Sequence, residues 1–150
     1  MKKYTLLSLF IIIATWGYSQ ESKPVLNYST AETIIKGCIE YAEANKVKMA
    51  IAVYDGSGIL ISYAKMDGVP VAIGKVAQWK GLSAATYQAP TSETGSWNVP
   101  NAPDIATVPG GILIKAKDGS FIGAIGVSGA ASSVDVLCAT AGLKKAGLGN

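Results

Sequence analysis

The residues best suited to chemistry in this chain lie in one glycine-rich stretch, residues 121–135. Gly123, Gly126 and Gly129 recur there at every third position. Because glycine inside a strand removes packing surface, we expect another backbone or a ligand to come close at these positions. A strand that turns into a helix also directs backbone N–H groups toward one point, where they can hold an anion. The stretch therefore predicts either a tight turn of small residues, which we favour, or an anion-binding loop.

Further candidate residues lie in and around this stretch. Lys80 can offer a cation to a carboxylate, although a lysine on a helix usually lies on a solvated face, and we favour that interpretation. Gly110 and Gly111 can let a ligand approach the backbone, or can simply turn the chain into a strand. Ser128 has no base partner, which argues against nucleophilic catalysis. Asp135 is expected to cap the last helix.

The composition of the chain excludes several mechanisms. Its basic residues are all lysine, with no arginine and no histidine. A bidentate arginine clamp, a histidine general base and an imidazole metal ligand are therefore ruled out. A Ser-His-Asp triad cannot be built either. The sequence thus identifies no catalytic residue, and it leaves the presence of a metal site open.

The first 19 residues are typical of a secretory signal peptide. A short basic start precedes an apolar run over residues 6–14, and Gly17 and Ser19 place small residues at the −3 and −1 positions of a cleavage site. The run is too short for a membrane span. We therefore expect a periplasmic or secreted protein with a linker over residues 20–28 and a single domain over residues 29–150.

Cleavage changes the charge of the chain. Without Lys2 and Lys3, 11 of the 13 lysines remain against 10 acidic residues, a net charge of about +1. A near-neutral surface without a basic stripe argues against nucleic acid as a partner. No second long apolar run follows the leader, so we expect no membrane span in the mature chain.

The two cysteines, Cys38 and Cys138, each lie in an amphipathic helical pattern. Neither belongs to a C-x-x-C pair, which argues against a zinc site. Export permits a disulfide. The separation of 100 residues says nothing about geometry. We slightly favour the interpretation that both are small buried apolar residues.

Hydrophobic periodicity and turn residues predict seven elements. They are helices over residues 30–45, 71–87 and 133–146, and strands over residues 47–54, 59–64, 112–116 and 121–127. The first helix follows a capping box of Ser29 and Glu32, and Ser132 with Asp135 has the same spacing before the last helix. The strand over residues 47–54 alternates as if buried on one face. Two hairpins flanked by helices imply an α+β domain, an antiparallel sheet with helical layers.

A long, proline-dotted connection over residues 89–111 separates the second helix from the second hairpin. Connections of this length in a compact domain are uncommon and are often functional. Trp97 lies within it. The aromatic ring predicts either a lid over a pocket or an anchor for a surface loop.

Four segments together resemble one family. They are AIAVYDGSGILISYAKMDG, K-x-x-x-A-A-T from Lys80 to Thr86, Pro109-Gly110-Gly111, and GAIGVSGAASSVDVLCATAG. In this order they are similar to the GlcG/HbpS family of small haem-binding or haem-degrading-type proteins, and to the C-terminal domain of PduO-type corrinoid adenosyltransferases. The resemblance implies a profilin-like fold, an antiparallel sheet with helices on both faces. It also implies a homo-oligomer.

The resemblance implies haem or tetrapyrrole binding by an exported protein without robust catalysis. Because the chain has no histidine, the iron ligands left are Met66, a tyrosine such as Tyr63 or Tyr87, a lysine, or the Thr86 hydroxyl. Asp67 follows Met66 in the M-D-G of the family and is either a contact beside the pocket or a turn residue, which we favour. The candidate cofactor-binding residues are Met66, Asp67, Lys80, Thr86, Tyr87, Gly110, Gly111, Ser128 and Gly129.

Two alternatives stay open. The first is binding of a small organic acid such as glycolate, or an accessory enzyme acting on one, which the GlcG name implies. Gly110-Gly111 and residues 126–129 would then form the anion nest. The second is a purely structural oligomer whose site has decayed.

Overall fold

The structure, a computed structural model, describes residues 22–99 and 101–148. The expected signal peptide over residues 1–19 and the first two linker residues lie outside the described residues. None of the helices in the described part of the chain is both long and apolar enough to cross a membrane.

Four strands form one antiparallel sheet in the order β2-β1-β4-β3. The elements, in chain order, are α1 (Tyr28–Ala44), β1 (Ala50–Asp55), β2 (Leu60–Lys65), α2 (Val71–Tyr87), α3 (Thr91–Thr94), β3 (Gly111–Lys115), β4 (Phe121–Ser128) and α4 (Ser132–Lys145). Both predicted hairpins and all three long helices are confirmed. The short helix α3 was missed, because four residues are too few to show a helical period.

The sheet carries helices on both faces, which confirms the predicted α+β class. On one face Ile51, Val53 and Ile125 pack against α1 and α4. On the other face Ala52 and Tyr54 pack against α2. β1 is therefore buried on both faces. The prediction of one buried face was wrong, because helix α2 packs against the second face of the strand.

Helix α2 lies unusually close to the sheet. A Cβ atom on Gly126 would overlap the carbonyl oxygen of Ala77 and the backbone nitrogen of Gly81. The spaced glycines therefore admit another backbone, as predicted, and this backbone is that of a helix. Close contact of this kind explains why the buried residues of α2 are mostly glycine and alanine.

Helices α1 and α4 are joined by a disulfide between Cys38 and Cys138, whose Cα atoms lie 4.6 Å apart. The prediction that they are two separate buried residues was wrong. The helices approach closely because Gly37 faces Gly142. A Cβ atom on Gly37 would lie only 2.9 Å from the Cα atom of Gly142. This approach depends on tertiary packing, which residue spacing does not carry.

Both predicted capping boxes were also wrong. Helix α1 is capped by Asn27, whose Oδ1 accepts a hydrogen bond from the Thr30 N–H at 2.9 Å. Ser29 therefore lies inside the helix, and Glu32 instead accepts from the Ser62 hydroxyl. Helix α4 begins after Ala131, with no side-chain cap from Ser132.

The end of α4 agrees with the sequence prediction. Gly147 has a φ of +69°, and its N–H donates to the Lys144 carbonyl at 3.1 Å. The Leu148 N–H donates to the Leu143 carbonyl at 3.0 Å. This pair of bonds is a Schellman motif, which satisfies the last carbonyls of the helix.

Candidate functional site

The most buried charged groups in the described residues are Lys80 on α2 and Asp135 on α4. The Lys80 ammonium lies 2.8 Å from the Asp135 Oδ2 and 3.2 Å from the Val127 carbonyl oxygen. Lys80 is 2% exposed and Asp135 is 1% exposed. The prediction of a solvated face for Lys80 was wrong, because α2 lies against β4 and the side chain runs between them. A buried pair of this kind fixes geometry more than it adds stability.

Lys80 is one of the candidate residues, and four others lie around this ion pair or lead toward it. A Cβ atom on Gly110, whose φ is +129°, would lie 2.7 Å from the Lys80 ammonium. A Cβ atom on Gly111 would overlap the Lys80 carbonyl oxygen. Ser128, which is buried, and Gly129 lead from the end of β4 toward Asp135. We call Lys80, Asp135 and these four residues the closed cluster.

The anion held in the closed cluster is the carboxylate of Asp135, a group of the chain itself. Its Oδ1 accepts a hydrogen bond from the Ala130 N–H at 3.1 Å. Asp135 thus binds an N–H just before α4, close to its expected capping role. The neighbouring donors are used as well: the Val127 N–H donates to Gly110 at 2.8 Å, and the Gly111 N–H donates to Thr91 at 2.9 Å. The cluster therefore ties α2, β4 and α4 together.

Met66 and Asp67 lie in a different place, at the turn from β2 to α2. The Met66 sulfur accepts a hydrogen bond from the Met49 N–H at 3.3 Å, and Asp67 is exposed. A pocket of about 190 Å³ opens beside this turn. It is lined by Val47, Lys48, Gly68, Val69, Pro70, Ile73 and Gly129. Gly129 therefore borders both the closed cluster and this pocket, which we call the α2 pocket.

Lys48 supplies the charge of the α2 pocket and was not among the predicted site residues. Its ammonium lies over Gly68, 2.9 Å from the position of a Cβ atom there. The first turn of α2 contains no acidic residue. The partial positive charge of the helix N-terminus is therefore not neutralised within that turn. The single sequence signal for Lys48 was a lysine at the start of a buried strand, next to a turn containing glycine.

Thr86 and Tyr87 lie at the opposite end of α2. Lys80 and Tyr87 are seven residues apart along the helix, about 10 Å at a rise of 1.5 Å per residue. The Tyr87 hydroxyl donates to the Pro103 carbonyl, and its ring meets Trp97 edge to face with centroids 5.9 Å apart. Thr86 is exposed. The candidate residues therefore fall into three groups, two of which adjoin at Gly129, and they do not form one site.

Side chains from α2 and α3 hold the long connection in place. The Ser83 hydroxyl accepts from the Ala106 N–H at 2.8 Å, and the Thr94 hydroxyl donates to the Ala106 carbonyl at 2.6 Å. Trp97 contacts Tyr87 from the same segment. The connection is therefore an anchored surface segment, in line with the second of the two interpretations for Trp97. Ser83 and Thr94 were not predicted from the sequence, since isolated hydroxyls carry no pattern.

Tyr54 lies in the core between β1 and α2, and its pKa is perturbed. Desolvation raises the pKa of its hydroxyl above the ordinary value, and the negative charge of Asp104 raises it further. Asp104 has a φ of +57° and lies in the long connection. This segment therefore contributes a charge to the environment of a core tyrosine.

A larger groove of about 560 Å³ lies between the β3–β4 turn and the end of α4. It is lined by Leu113, Lys115, Ala116, Lys117, Asp118, Gly119, Thr140, Leu143, Gly147 and Leu148. None of these residues was predicted to belong to a site. The available signal was the placement of Lys115 and Lys117 on both sides of Ala116, just before a turn. We call this depression the β3 groove.

Comparison with known proteins places this fold in a family. Residues 26–144 match the family model described as haem degrading protein HbpS-like. The chain is 30% identical over 114 residues to protein GlcG of Escherichia coli strain K12, covering 72% of this chain and 84% of GlcG. The chain therefore belongs to the HbpS-like family, which confirms the resemblance to GlcG and HbpS.

Solved structures agree with this assignment. The crystal structure of HbpS superimposes with a TM-score of 0.76 at 25% identity, covering 88% of this chain and 97% of HbpS. A double mutant of HbpS from Streptomyces reticuli gives 0.76 at 26% identity, covering 95% and 100%. A complex described as PduOC with haem gives 0.74 at 18% identity, covering 81% and 95%, and at that identity it shows the shared fold alone.

Proposed function

We propose that this protein binds haem or a related tetrapyrrole outside the cytoplasm and has no robust catalytic activity. The observation that carries the proposal is the match of residues 26–144 to the HbpS-like family model. Haem in a complex of the PduO C-terminal domain, which shares the fold, supports it further. The proposal concerns binding, because the described residues place no base beside Ser128 and close Lys80 against Asp135.

The axial ligands named from the sequence differ in their availability. The Met66 sulfur accepts a backbone hydrogen bond, and the Tyr87 hydroxyl donates one. Tyr63 and Thr86 are exposed, but neither lines the α2 pocket or the β3 groove. Among the described residues no cluster of three or more His, Cys, Asp or Glu side chains is placed to hold a metal ion. The proposed binding therefore depends on apolar contact and on lysines that pair with the ligand's carboxylates.

The proposal is tested by titrating the mature chain with haem and following absorbance. We expect a saturable, stoichiometric change in the Soret band, which Met66→Ala and Tyr87→Phe leave in place. A reductant should convert the bound haem to its ferrous spectrum, and the Soret band should then persist over hours, because we expect no cleavage of the ring. A featureless rise equal to that of haem in buffer would contradict the proposal.

The proposed location is the periplasm or the exterior of the cell. The disulfide between Cys38 and Cys138 supports this location, because structural disulfides persist in oxidising compartments. Both cysteines are fully buried. The test is cell fractionation combined with thiol alkylation under denaturing conditions. Recovery in the cytoplasmic fraction with two reactive thiols would contradict the proposal.

The proposed assembly is a homo-oligomer, supported by an exposed apolar strip. Ile59 is 63% exposed and Val71 is 69% exposed, and Leu60 and Tyr63 lie between them on or beside β2. β2 is an edge of the sheet, where a strand of another chain can pair. Sedimentation of the mature chain should give a mass above that of one chain, and Leu60→Lys should lower it. A monomer at micromolar concentration would contradict this part.

A small organic acid is the second candidate ligand, and the α2 pocket is the observation that favours it. Its volume of about 190 Å³ suits a small molecule, and Lys48 offers a cation beside apolar walls. Glycolate or lactate should then raise the melting temperature of the protein, and Lys48→Met should abolish the shift. An increase in melting temperature in Lys48→Met equal to that of the unaltered protein would contradict binding of a small organic acid in the α2 pocket.

A further inference from the structure

The two edge strands of the sheet, β2 and β3, differ in how far their outward backbone groups are covered. In an antiparallel pair, successive residues direct their N–H and C=O groups alternately toward the neighbouring strand and away from it. The groups that point away from the sheet are free to pair with a further strand. The cover over each edge therefore indicates which of them can receive a partner.

The edge of β3 is largely blocked. The Val127 N–H donates to the Gly110 carbonyl at 2.8 Å, so Gly110 faces β4 and Gly111 faces outward. The Gly111 N–H donates to the hydroxyl of the buried Thr91 at 2.9 Å, and the Gly111 carbonyl accepts from this hydroxyl at 3.5 Å. Further along, a bulge interrupts the register beside the exposed Lys115. Bulges and lysines on an edge both discourage strand pairing.

The edge of β2 is open over its second half. The Met66 N–H donates to the Met49 carbonyl at 3.0 Å, so Met66 faces β1. The residues alternate from there, which directs the backbone groups of Lys65 and Tyr63 away from β1. Within the described part of the chain no other strand pairs with this side of β2. These two residues therefore offer two donors and two acceptors to a partner strand.

The polar side chains of β2 do not guard this edge. A lysine that extends from an edge strand normally discourages pairing. The Lys65 ammonium instead donates to the Val69 carbonyl at 2.9 Å, so it is held over the turn that leads to α2. The Ser62 hydroxyl donates to Glu32 of α1. Both polar groups are thus engaged within their own chain.

Apolar side chains run along the same edge. The exposed fractions are 63% for Ile59, 43% for Leu60, 37% for Tyr63 and 69% for Val71. Together these side chains expose roughly 250 Å² of apolar surface. That is about half of the apolar area that one partner contributes to a standard interface of ~800 Å² per side. The half-buried Leu82 of α2 and the paired strands themselves would add to it.

We infer that β2 pairs with β2 of a second copy of this chain, antiparallel and about a two-fold axis, so that the two sheets continue into one. This inference rests on the proposed assembly and names its interface. A two-fold axis makes an edge its own partner, because the donors of each copy meet the acceptors of the other on both sides of the axis. The apolar strips of the two copies then meet beside the paired strands.

The outward residues select the register of this pairing. If Tyr63 of each copy lies opposite Lys65 of the other, both residues form hydrogen-bonded pairs and the axis passes at Ala64. A register centred on Lys65 would place two lysines directly opposite each other, which is unfavourable. A register centred on Tyr63 would pair Lys65 with Ile61, where the register between β1 and β2 shifts. The axis therefore passes at Ala64.

Amide hydrogen exchange of the unaltered mature chain gives the first test. The Tyr63 and Lys65 amides should exchange at least tenfold more slowly in the assembled protein than in protein diluted below the dissociation constant, because pairing gives both N–H groups an acceptor. The Leu113 amide, which points outward from β3, is the control and should exchange at the same rate in both samples. Equal exchange of Tyr63 and Lys65 in the two samples would overturn the pairing.

A cysteine at the axis gives the second test. At a position of this kind the Cα atoms of the two copies come to ~4.5 Å from each other, within the reach of a disulfide. Ala64→Cys treated with a mild thiol oxidant should therefore migrate as a covalent dimer on a non-reducing gel. Leu113→Cys, on the opposite edge of the sheet, should remain a single chain. The reverse result would overturn the assignment.

A proline separates the backbone pairing from the side chain. Lys65→Pro and Lys65→Ala both remove the ammonium, but only the proline removes the outward N–H group. Lys65→Pro should raise the dissociation constant of the assembly more than tenfold, since each copy loses one hydrogen bond across the interface. Lys65→Ala should change it less than about threefold. The melting temperature of each variant, measured in the monomer, shows that the fold is retained.

The outcomes separate the inference from the proposed assembly. A mature chain that stays monomeric at micromolar concentration would contradict both, and the open edge would then be left to a strand of another protein. An assembled chain in which Ala64→Cys forms no covalent dimer and Lys65→Pro associates like Lys65→Ala would keep the assembly and overturn the pairing through β2. Cross-linking at Ala64 together with weakened association of Lys65→Pro alone supports the interface.

Discussion

The closed cluster and the β3 groove both contain lysine, aspartate and glycine, but these residues lie in opposite environments. In the closed cluster Lys80 is 2% exposed and pairs with Asp135 at 2.8 Å. In the β3 groove Lys115 and Lys117 are exposed, and Asp118 bonds to Ser120 within its own turn. The difference shows that a lysine beside glycines can either tie elements together or lie exposed to solvent. Its partners decide which, and these partners come from other elements.

Breaking the closed cluster should have the largest effect. Lys80→Ala leaves the Asp135 carboxylate buried without its cation, and loss of one partner of a buried pair costs about 3–5 kcal/mol. We expect urea denaturation to show a decrease of that size in the free energy of unfolding. Lys75→Ala, an exposed lysine of the same helix, should change it by less than about 0.5 kcal/mol. Equal effects of the two substitutions would contradict a structural role for the buried pair.

Widening the contact between α2 and the sheet should have the next largest effect. Gly126→Ala places a methyl group against the Ala77 carbonyl and the Gly81 nitrogen, so the helix must move. Overpacking of this kind costs about 1–3 kcal/mol. Gly56→Ala is the control, because its Cβ atom would make only an ordinary contact at 3.5 Å. Denaturation midpoints of the two variants should differ clearly, and a neutral Gly126→Ala would contradict the close approach.

The environment of Tyr54 predicts a dependence of stability on alkaline pH. Because desolvation, and then Asp104, raise its pKa in the folded state, the unfolded chain loses this proton more readily. The linked stability is therefore fully present below about pH 10, the unfolded value, and is lost as the pH rises through the folded value. Tyr54→Phe should flatten this decline in thermal melts. A decline of the same steepness in Tyr54→Phe would contradict the assignment.

Neutralising the lysines of the β3 groove should have the smallest effect on stability. Lys115→Ala/Lys117→Ala changes exposed residues, so the free energy of unfolding should move by no more than about 0.5 kcal/mol. Differential scanning calorimetry checks this value. A large loss would mean that these lysines support the fold, as Lys80 does, and the contrast between the two regions would disappear.

The architecture could be predicted because it is encoded locally. Helical and strand periods gave the three long helices and four strands, and the glycines of β4 signalled a close approach that the structure confirms at Gly126. Two errors concern partners from distant elements, and a third concerns a local choice of cap. Lys80 pairs with Asp135, 55 residues further along the chain, and Cys38 forms a disulfide with Cys138, 100 residues further along. Asn27 rather than Ser29 caps α1. Both residues can cap a helix and they lie close together in the sequence, so only the direction in which the chain enters the helix selects one of them.

The candidate site could be predicted only in part for the same reason. Gly110, Gly111 and Ser128 were predicted as candidate ligand contacts, but the neighbour of Gly110 and Gly111 is Lys80 of this chain, and Ser128 is buried. The β3 groove was not predicted from the sequence, because its walls come from a turn and from the end of a helix. No period or motif connects these segments in the sequence.

The most direct test of the account is an amide NMR titration of the ¹⁵N-labelled mature chain with metal-free protoporphyrin IX. We expect saturable shifts in a discrete set of amides, from the ring current of the bound porphyrin. Amides of the closed cluster, around Gly110, Gly111 and Gly129, should shift little. Saturable shifts centred on those glycines would contradict the claim that Lys80 and Asp135 close the cluster to ligands, and shifts that saturate nowhere would contradict the proposed tetrapyrrole binding.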